Sequence, residues 1–310
     1  MSYGLLLWSS AVNVDSIFVL QKRAVRAIYM MSPRDTLRST TWMQELVWLA
    51  KNDLDFKTAK SKPLYKRFPM IEITSQIPEV AFELIKVNFM NLGNFQGLND
   101  AVRVPSWTAL ENAPSPRFIK THLPLSLLPP NVLSVAKVVY VARDPRDVAV
   151  SYYYLHKMIH KGVVRNTLAS SWEAFRKDLL PYTPIVAHTN EAWLKRHHPN
   201  MHFVYYEEMI KDLPKEIKRM CQFLNKEYTD EQLKQLSEHL SFESLRKNKS
   251  VNNTTTNADG IQFVRKGEAG GWKTHFDDKQ VIQAEEFLID RLQGLQLQYP
   301  SFPIHEITRL

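Results

Sequence analysis

Thiols are nearly absent from this chain, which has a single cysteine, Cys221, among 310 residues. One thiol cannot form an internal disulfide, so a disulfide-stapled secreted scaffold is excluded and a reducing compartment fits. Long apolar runs are lacking as well. The opening Met-Ser-Tyr-Gly-Leu-Leu-Leu-Trp stretch stays apolar towards Leu20, but Asn13 and Asp15 interrupt it and it carries no basic leader. Neither a secretory signal nor a spanning helix is expected, and the expected location is cytoplasmic. No Asp/Glu/His/Cys cluster has metal-ligand spacing, so no metal is expected. The chain has no internal repeat, and no Lys/Arg run long enough for a nucleic-acid-binding arm.

What remains is an ordinary core composition, 44% hydrophobic, with a formal charge of +8. That surplus points to an anionic ligand, nucleic acid or a membrane surface, and charge alone does not choose among them. Residues 40 to 51 predict a helix with Thr40 or Thr41 as cap and an apolar face of Trp42, Leu46, Leu49 and Ala50. Residues 52 to 75 predict a polar, proline-marked connection, and 80 to 85 a short helix. Arg117 to Thr121 predicts a strand ended by Pro124, and Lys137 to Ala142 one buried on both faces. A helix should begin after Pro145. Met201 to Tyr206 predicts another strand. Helices are expected near 215 to 224, 231 to 239 and 281 to 292, the last closed by Gly294. Strands alternating with helices imply an α/β fold with a central parallel sheet covered on both faces.

The most informative segment is Arg265-Lys266-Gly267-Glu268-Ala269-Gly270-Gly271-Trp272. Its glycines let backbone N–H groups approach an anion, and its arginine offers a planar fork for phosphate oxygens. Taken alone it also fits a basic surface loop. Three further groups fall at expected strand ends, where open α/β sheets bind ligands. Alternation places Lys120 and His122 on one face. A lysine there can neutralise a leaving phosphate, and a histidine can accept a hydroxyl proton near neutral pH. Arg143 and Ser151 could hold one phosphate, although an Arg143–Asp147 ion pair fits equally well. Tyr206, at the end of a strand, could project its hydroxyl toward a nucleotide, although a simply packed tyrosine fits there as well.

Thr-Thr-Trp-Met-Gln-Glu-Leu, Lys-Thr-His-Leu-Pro, Val-Ala-Arg-Asp-Pro-Arg-Asp-Val-Ala-Val-Ser-Tyr and Arg-Lys-Gly-Glu-Ala-Gly-Gly-Trp-Lys occur in this order. Together they resemble the cytosolic sulfotransferase family from Ser39 nearly to the C-terminus. The resemblance implies a P-loop-type nucleotide-binding fold over 39–310. The implied activity is transfer of a sulfuryl group from 3′-phosphoadenosine 5′-phosphosulfate (PAPS) to a hydroxyl or amine of a small molecule. It makes His122 the base and Lys120 the stabiliser of the bridging and leaving oxygens. It gives Arg143, Ser151, Arg265, Lys266 and Gly267 to the 3′-phosphate, and Arg38, Ser39, Thr40 and Thr41 to the 5′ end. Trp42 and Phe242 would sandwich the adenine, with Tyr206 against the nucleotide.

The chain departs from the family in four places. Leu240 stands where a threonine usually bonds the adenine. The phosphate loop, of the form Tyr-Pro-(Lys/Arg)-Ser-Gly-Thr-Thr-Trp, is replaced by Arg34-Asp35-Thr36-Leu37-Arg38-Ser39-Thr40-Thr41-Trp42, which lacks the glycine. Before Ser39, Tyr3–Trp8, Val19–Ile28 and Ser32–Asp35 resemble the region following the reverse transcriptase domain of non-LTR retrotransposons, which predicts that residues 1–38 are either a fusion onto a sulfotransferase without its first strand or an error in the gene model. The family's dimer motif, Lys-x-x-x-Thr-Val-x-x-x-Glu, is met by Lys273, Asp277, Asp278 and Ile282, so dimerisation by that route is not expected. The expected partner is a small hydroxylated acceptor, with no nucleic acid and no membrane. The altered loop leaves a second reading open, a PAP/PAPS-binding pseudoenzyme, where PAP is the desulfated 3′-phosphoadenosine 5′-phosphate.

Overall fold

The structure, a computed structural model, describes residues 4–9, 38–72, 106–159, 167–251 and 269–302. The expected helix over 80 to 85 lies outside them. Four strands form one sheet: β1 (Gly4–Ser9), β2 (Arg117–Thr121), β3 (Lys137–Ala142) and β4 (Met201–Tyr205), in the order β2-β1-β3-β4. β3 and β4 are parallel, with Val138 opposite Met201 and Ala142 opposite Tyr205. β1 runs antiparallel to both β2 and β3, so these two share a direction with β4.

The slot expected to be empty is therefore filled. The Gly-Leu-Leu-Leu-Trp-Ser run of β1 pairs Leu6 with Lys120 on one side and with Val139 on the other. Two buried neighbours present N–H and C=O groups that need partners whichever way the intervening strand runs.

Alternation along β3 divides the core into two layers. Val138, Tyr140 and Ala142 pack with Val148, Trp172, Val186 and Leu288. These come from β3 and from α2 (Pro145–Ile159), α3 (Leu168–Arg176), α4 (Ile185–Leu194) and α7 (Asp278–Leu292). Val139 and Val141 face α1 (Arg38–Lys51), α5 (Leu213–Phe223) and α6 (Asp230–His239), meeting Leu46, Ile217 and Leu236. Buried Glu45 fixes α1 by accepting from Arg67 at 2.6 Å and from His239 at 2.8 Å.

Helix starts follow side-chain chemistry. Thr167, Thr229 and Asp277 each cap a helix and close a reciprocal capping box with the residue three positions on. Gly294, at φ 75°, ends α7 in the left-handed region, where a side chain would be strained. Residues 52 to 72, expected as a connection, contain the short helices Phe56–Ser61 and Leu64–Arg67. Among the described residues no helix is long and apolar enough to cross a membrane.

Candidate functional site

The three parallel strands end on one side of the sheet, and an expected polar residue leaves each. His122 follows β2, Arg143 follows β3 and Tyr206 follows β4. Tyr206 is the first residue of the helix Tyr206–Lys211 and not the last of the strand. It is fully buried.

His122 is fully buried, and Lys120 is 7% exposed. Both depend on the segment Phe68–Glu72 running beside β2. Lys120 donates its N–H to the Pro69 carbonyl at 2.9 Å and accepts from Ile71 N–H at 3.0 Å. That pairing delivers Glu72, whose Oε1 accepts the His122 N–H at 2.6 Å. Burial pushes the Glu72 carboxyl up to about 7, against the opposing pull of the His122 N–H, Thr121 and the Lys120 charge. On the other side the His122 carbonyl accepts from His188 Nε2 at 2.9 Å. The imidazole lies 5.4 Å from the ring of Tyr182, a residue held at φ 65°.

Arg143 forms the ion pair anticipated with Asp147, at 3.6 Å, and lies 4.6 Å over the Tyr206 ring. Asp147 does more than the spacing suggested. Its Oδ2 accepts Gly270 N–H at 2.8 Å and its Oδ1 accepts Trp272 N–H at 3.0 Å. Gly270 sits at φ 74°, a conformation that favours glycine, and a Cβ on Gly271 would meet Asp147 Oδ1 at 3.8 Å. Arg146, paired with Asp144 at 2.7 Å, covers the Trp272 ring at 4.3 Å. The end of the glycine segment is thereby tied to α2, which also carries half-buried Ser151. Arg265, Lys266 and Gly267 lie outside the described residues.

On the α1 side, Thr40, Thr41 and Trp42 are buried in the first turns of the helix. The Trp42 ring meets Tyr206 edge-on at 6.5 Å. Trp42, Tyr206 and Arg143 thus form one chain of contacts. Phe242 opens the helix Phe242–Lys247 behind its Ser241 cap and packs, partly buried, on the same core layer as Trp42. Arg38 and Ser39 begin α1, their side chains falling outside the described part, as do residues 34–37 of the loop segment. Asp277 and Asp278, which break the dimer motif, start α7. Asp277 accepts Gln280 N–H at 2.8 Å, a capping role that threonine or valine would fill less well or not at all.

A mixed sheet with anion-suited residues at the carboxyl ends of its parallel strands is the architecture of a nucleotide-binding α/β protein. The particular family follows from comparison with known proteins. The sulfotransferase domain model matches residues 39–296. Sulfotransferase 1 family member D1 of Mus musculus is 30% identical over 302 residues, 96% of this chain and 93% of that protein. Luciferin sulfotransferase of Photinus pyralis is 33% identical over 268 residues, 82% of this chain and 69% of the relative. A retinol dehydratase solved with androsterone and the inactive cofactor PAP superimposes with a TM-score of 0.78 at 38% identity. That match covers 88% of this chain and 82% of the other. The chain belongs to the sulfotransferase family and is a PAPS-dependent sulfotransferase.

Proposed function

We propose that this enzyme sulfonates the hydroxyl of a small apolar molecule of sterol or retinoid size, in the cytoplasm, with His122 as base. Androsterone and retinol occupy retinol dehydratase in its solved complexes, and that protein shares 38% identity with this chain. In the proposed step His122 takes the acceptor's hydroxyl proton and the acceptor oxygen bonds to sulfur. The bond from sulfur to the bridging oxygen breaks, leaving its electron pair on the 5′-phosphate, where the Lys120 ammonium offsets the charge. Positioning and charge neutralisation dominate such in-line transfers. Arg143 and Ser151, with Arg265, Lys266 and Gly267, take the 3′-phosphate. Trp42, Phe242 and Tyr206 take the adenosine, and Arg38, Ser39, Thr40 and Thr41 the 5′ end.

The observation that carries this reading is the contact chain Trp42–Tyr206–Arg143 on the same side of the sheet as the strand end bearing Lys120 and His122. Residues 1–38 are read as an atypical segment joined to a sulfotransferase domain over 39–310. Gly4–Ser9 shares the sheet with the sulfotransferase strands, so the boundary proposed is one of origin and not of folding. Sequencing the transcript across codons 30 to 45 tests the mobile-element origin, which an ordinary upstream exon would remove.

The functional test is transfer of radiolabel from PAPS to androsterone, retinol and a simple phenol. We expect turnover with at least one of them, and loss of about 10²–10⁴ in kcat for His122→Ala with PAP affinity retained. Near-normal turnover of that variant would take His122 out of the base role. PAP binding without turnover in the parent enzyme would favour the pseudoenzyme.

A further inference from the structure

We propose that Tyr140 and His188 form a buried relay that positions His122: Tyr140 fixes the tautomer of His188, and His188 pins the His122 carbonyl. The inference rests on the reading of His122 as base. Tyr140 Oη lies 2.8 Å from His188 Nδ1, and His188 Nε2 lies 2.9 Å from the His122 carbonyl oxygen. Tyr140, His188 and His122 are 0%, 3% and 0% exposed.

The hydrogen positions follow from donor arithmetic. A carbonyl oxygen only accepts, so His188 Nε2 must carry its proton. A neutral imidazole has one N–H, which leaves Nδ1 as an acceptor and makes the Tyr140 hydroxyl the donor. Burial lowers the basicity of His188, in keeping with the neutral ring. Tyr140 is itself held, stacked on Phe203 at 5.4 Å with the rings 9° from parallel. Thr189 Oγ1, 3.3 Å from the phenol, donates to the Ile185 carbonyl at 2.9 Å, so it can receive the phenol only as a weaker second partner.

The geometric consequence falls on His122. Glu72 takes its N–H at 2.6 Å and His188 takes its C=O, so the peptide groups on both sides of its Cα are fixed. That sets the direction of the Cα–Cβ bond, leaving the two side-chain torsions, one of them bounded by the Tyr182 ring. Burying a phenol and an imidazole carries a desolvation cost that an apolar pair would avoid. Holding a base within a fraction of an ångström is the return, because a misplacement of about 1 Å costs on the order of 10²-fold in rate.

The test is kcat at saturating PAPS and acceptor, beside PAP affinity by calorimetry and thermal unfolding. His188→Leu should lower kcat by about 10²-fold with PAP affinity unchanged. His188→Gln, whose side-chain amide can donate to the same carbonyl, should recover most of that loss. Tyr140→Phe should lower kcat roughly 2- to 10-fold, the worth of one hydrogen bond. Near-normal kcat in His188→Leu, with His122→Ala inactive, overturns the relay and leaves the base assignment standing. An active His122→Ala overturns the base assignment itself. Parallel loss of PAP affinity in His188→Leu and His188→Gln assigns His188 a general structural role and also overturns the relay. Should His188→Leu not fold, an unchanged kcat in Tyr140→Phe overturns it alone.

Discussion

Glu72 is a carboxyl whose burial and function pull in opposite directions. Its ordinary value of 4.5 rises to about 7 in the fold. The native state therefore keeps a proton that the unfolded chain releases between those values. The stability that goes with this proton is fully present below about pH 4.5 and is lost as pH rises through 7. Glu72→Gln retains an acceptor for the His122 N–H and removes the ionisation. We expect parent and variant to melt together near pH 4.5, with the variant gaining on the order of 3 kcal/mol by pH 8. Scanning calorimetry across that range is the check, and a pH-independent difference would count against the cause given. At this scale the sequence was informative about type and less so about neighbours. Lys120, His122 and Arg143 stand out by their places at strand ends. Glu72 and His188 meet His122 across 50 and 66 residues, a relation that no local pattern encodes.

Among the elements, the join between α2 and the glycine segment concentrates the most consequence in the fewest atoms. Both oxygens of Asp147 are used on backbone N–H groups 123 and 125 residues away. Such charge-assisted bonds are the stronger kind, and losing them frees the segment that follows Gly267. Asp147→Ala should raise the Kd for PAP by about 10-fold or more and lower Tm, while Asp147→Asn, which keeps one acceptor, should fall between. Calorimetric titration with PAP reads this directly, and unchanged affinity would detach the glycine segment from cofactor binding. Regular elements with strong local signals were legible: the Val-Val-Tyr-Val run as β3, Pro145 as a helix start and Gly294 as a helix end. The helices over 168–176 and 185–194 were missed because mixed polar residues blur their apolar stripe, although Thr167 and Pro184 stand at their starts. Tyr206 was misplaced by one residue, at a strand-to-helix change that leaves no break in composition.

For the molecule as a whole, the least legible feature was β1. A short apolar run beside an unfamiliar N-terminal sequence gives no indication that it enters the sheet between β2 and β3, or in which direction. Its removal tests how far the fold depends on it. Deleting residues 1–9 would leave the inner edges of β2 and β3 unpaired in the middle of the sheet. Unsatisfied buried backbone groups cost about 1–3 kcal/mol each, so the sum approaches the whole stability of a domain. We expect the truncated chain to be insoluble or to lose its cooperative thermal transition, measured by circular dichroism. A truncated protein melting as sharply as the parent would show that β1 is dispensable.

That strand also acts as a gauge. Neighbouring strands lie about 4.8 Å apart, so interposing one between β2 and β3 sets their ends roughly 10 Å from each other. His122 leaves one of those ends and Arg143 the other. Under the proposed assignments, a strip of backbone fixes the distance between the reacting end of the nucleotide and its 3′-phosphate. Side-chain substitutions on β1 should then leave that span unaltered, because its width is a property of the main chain.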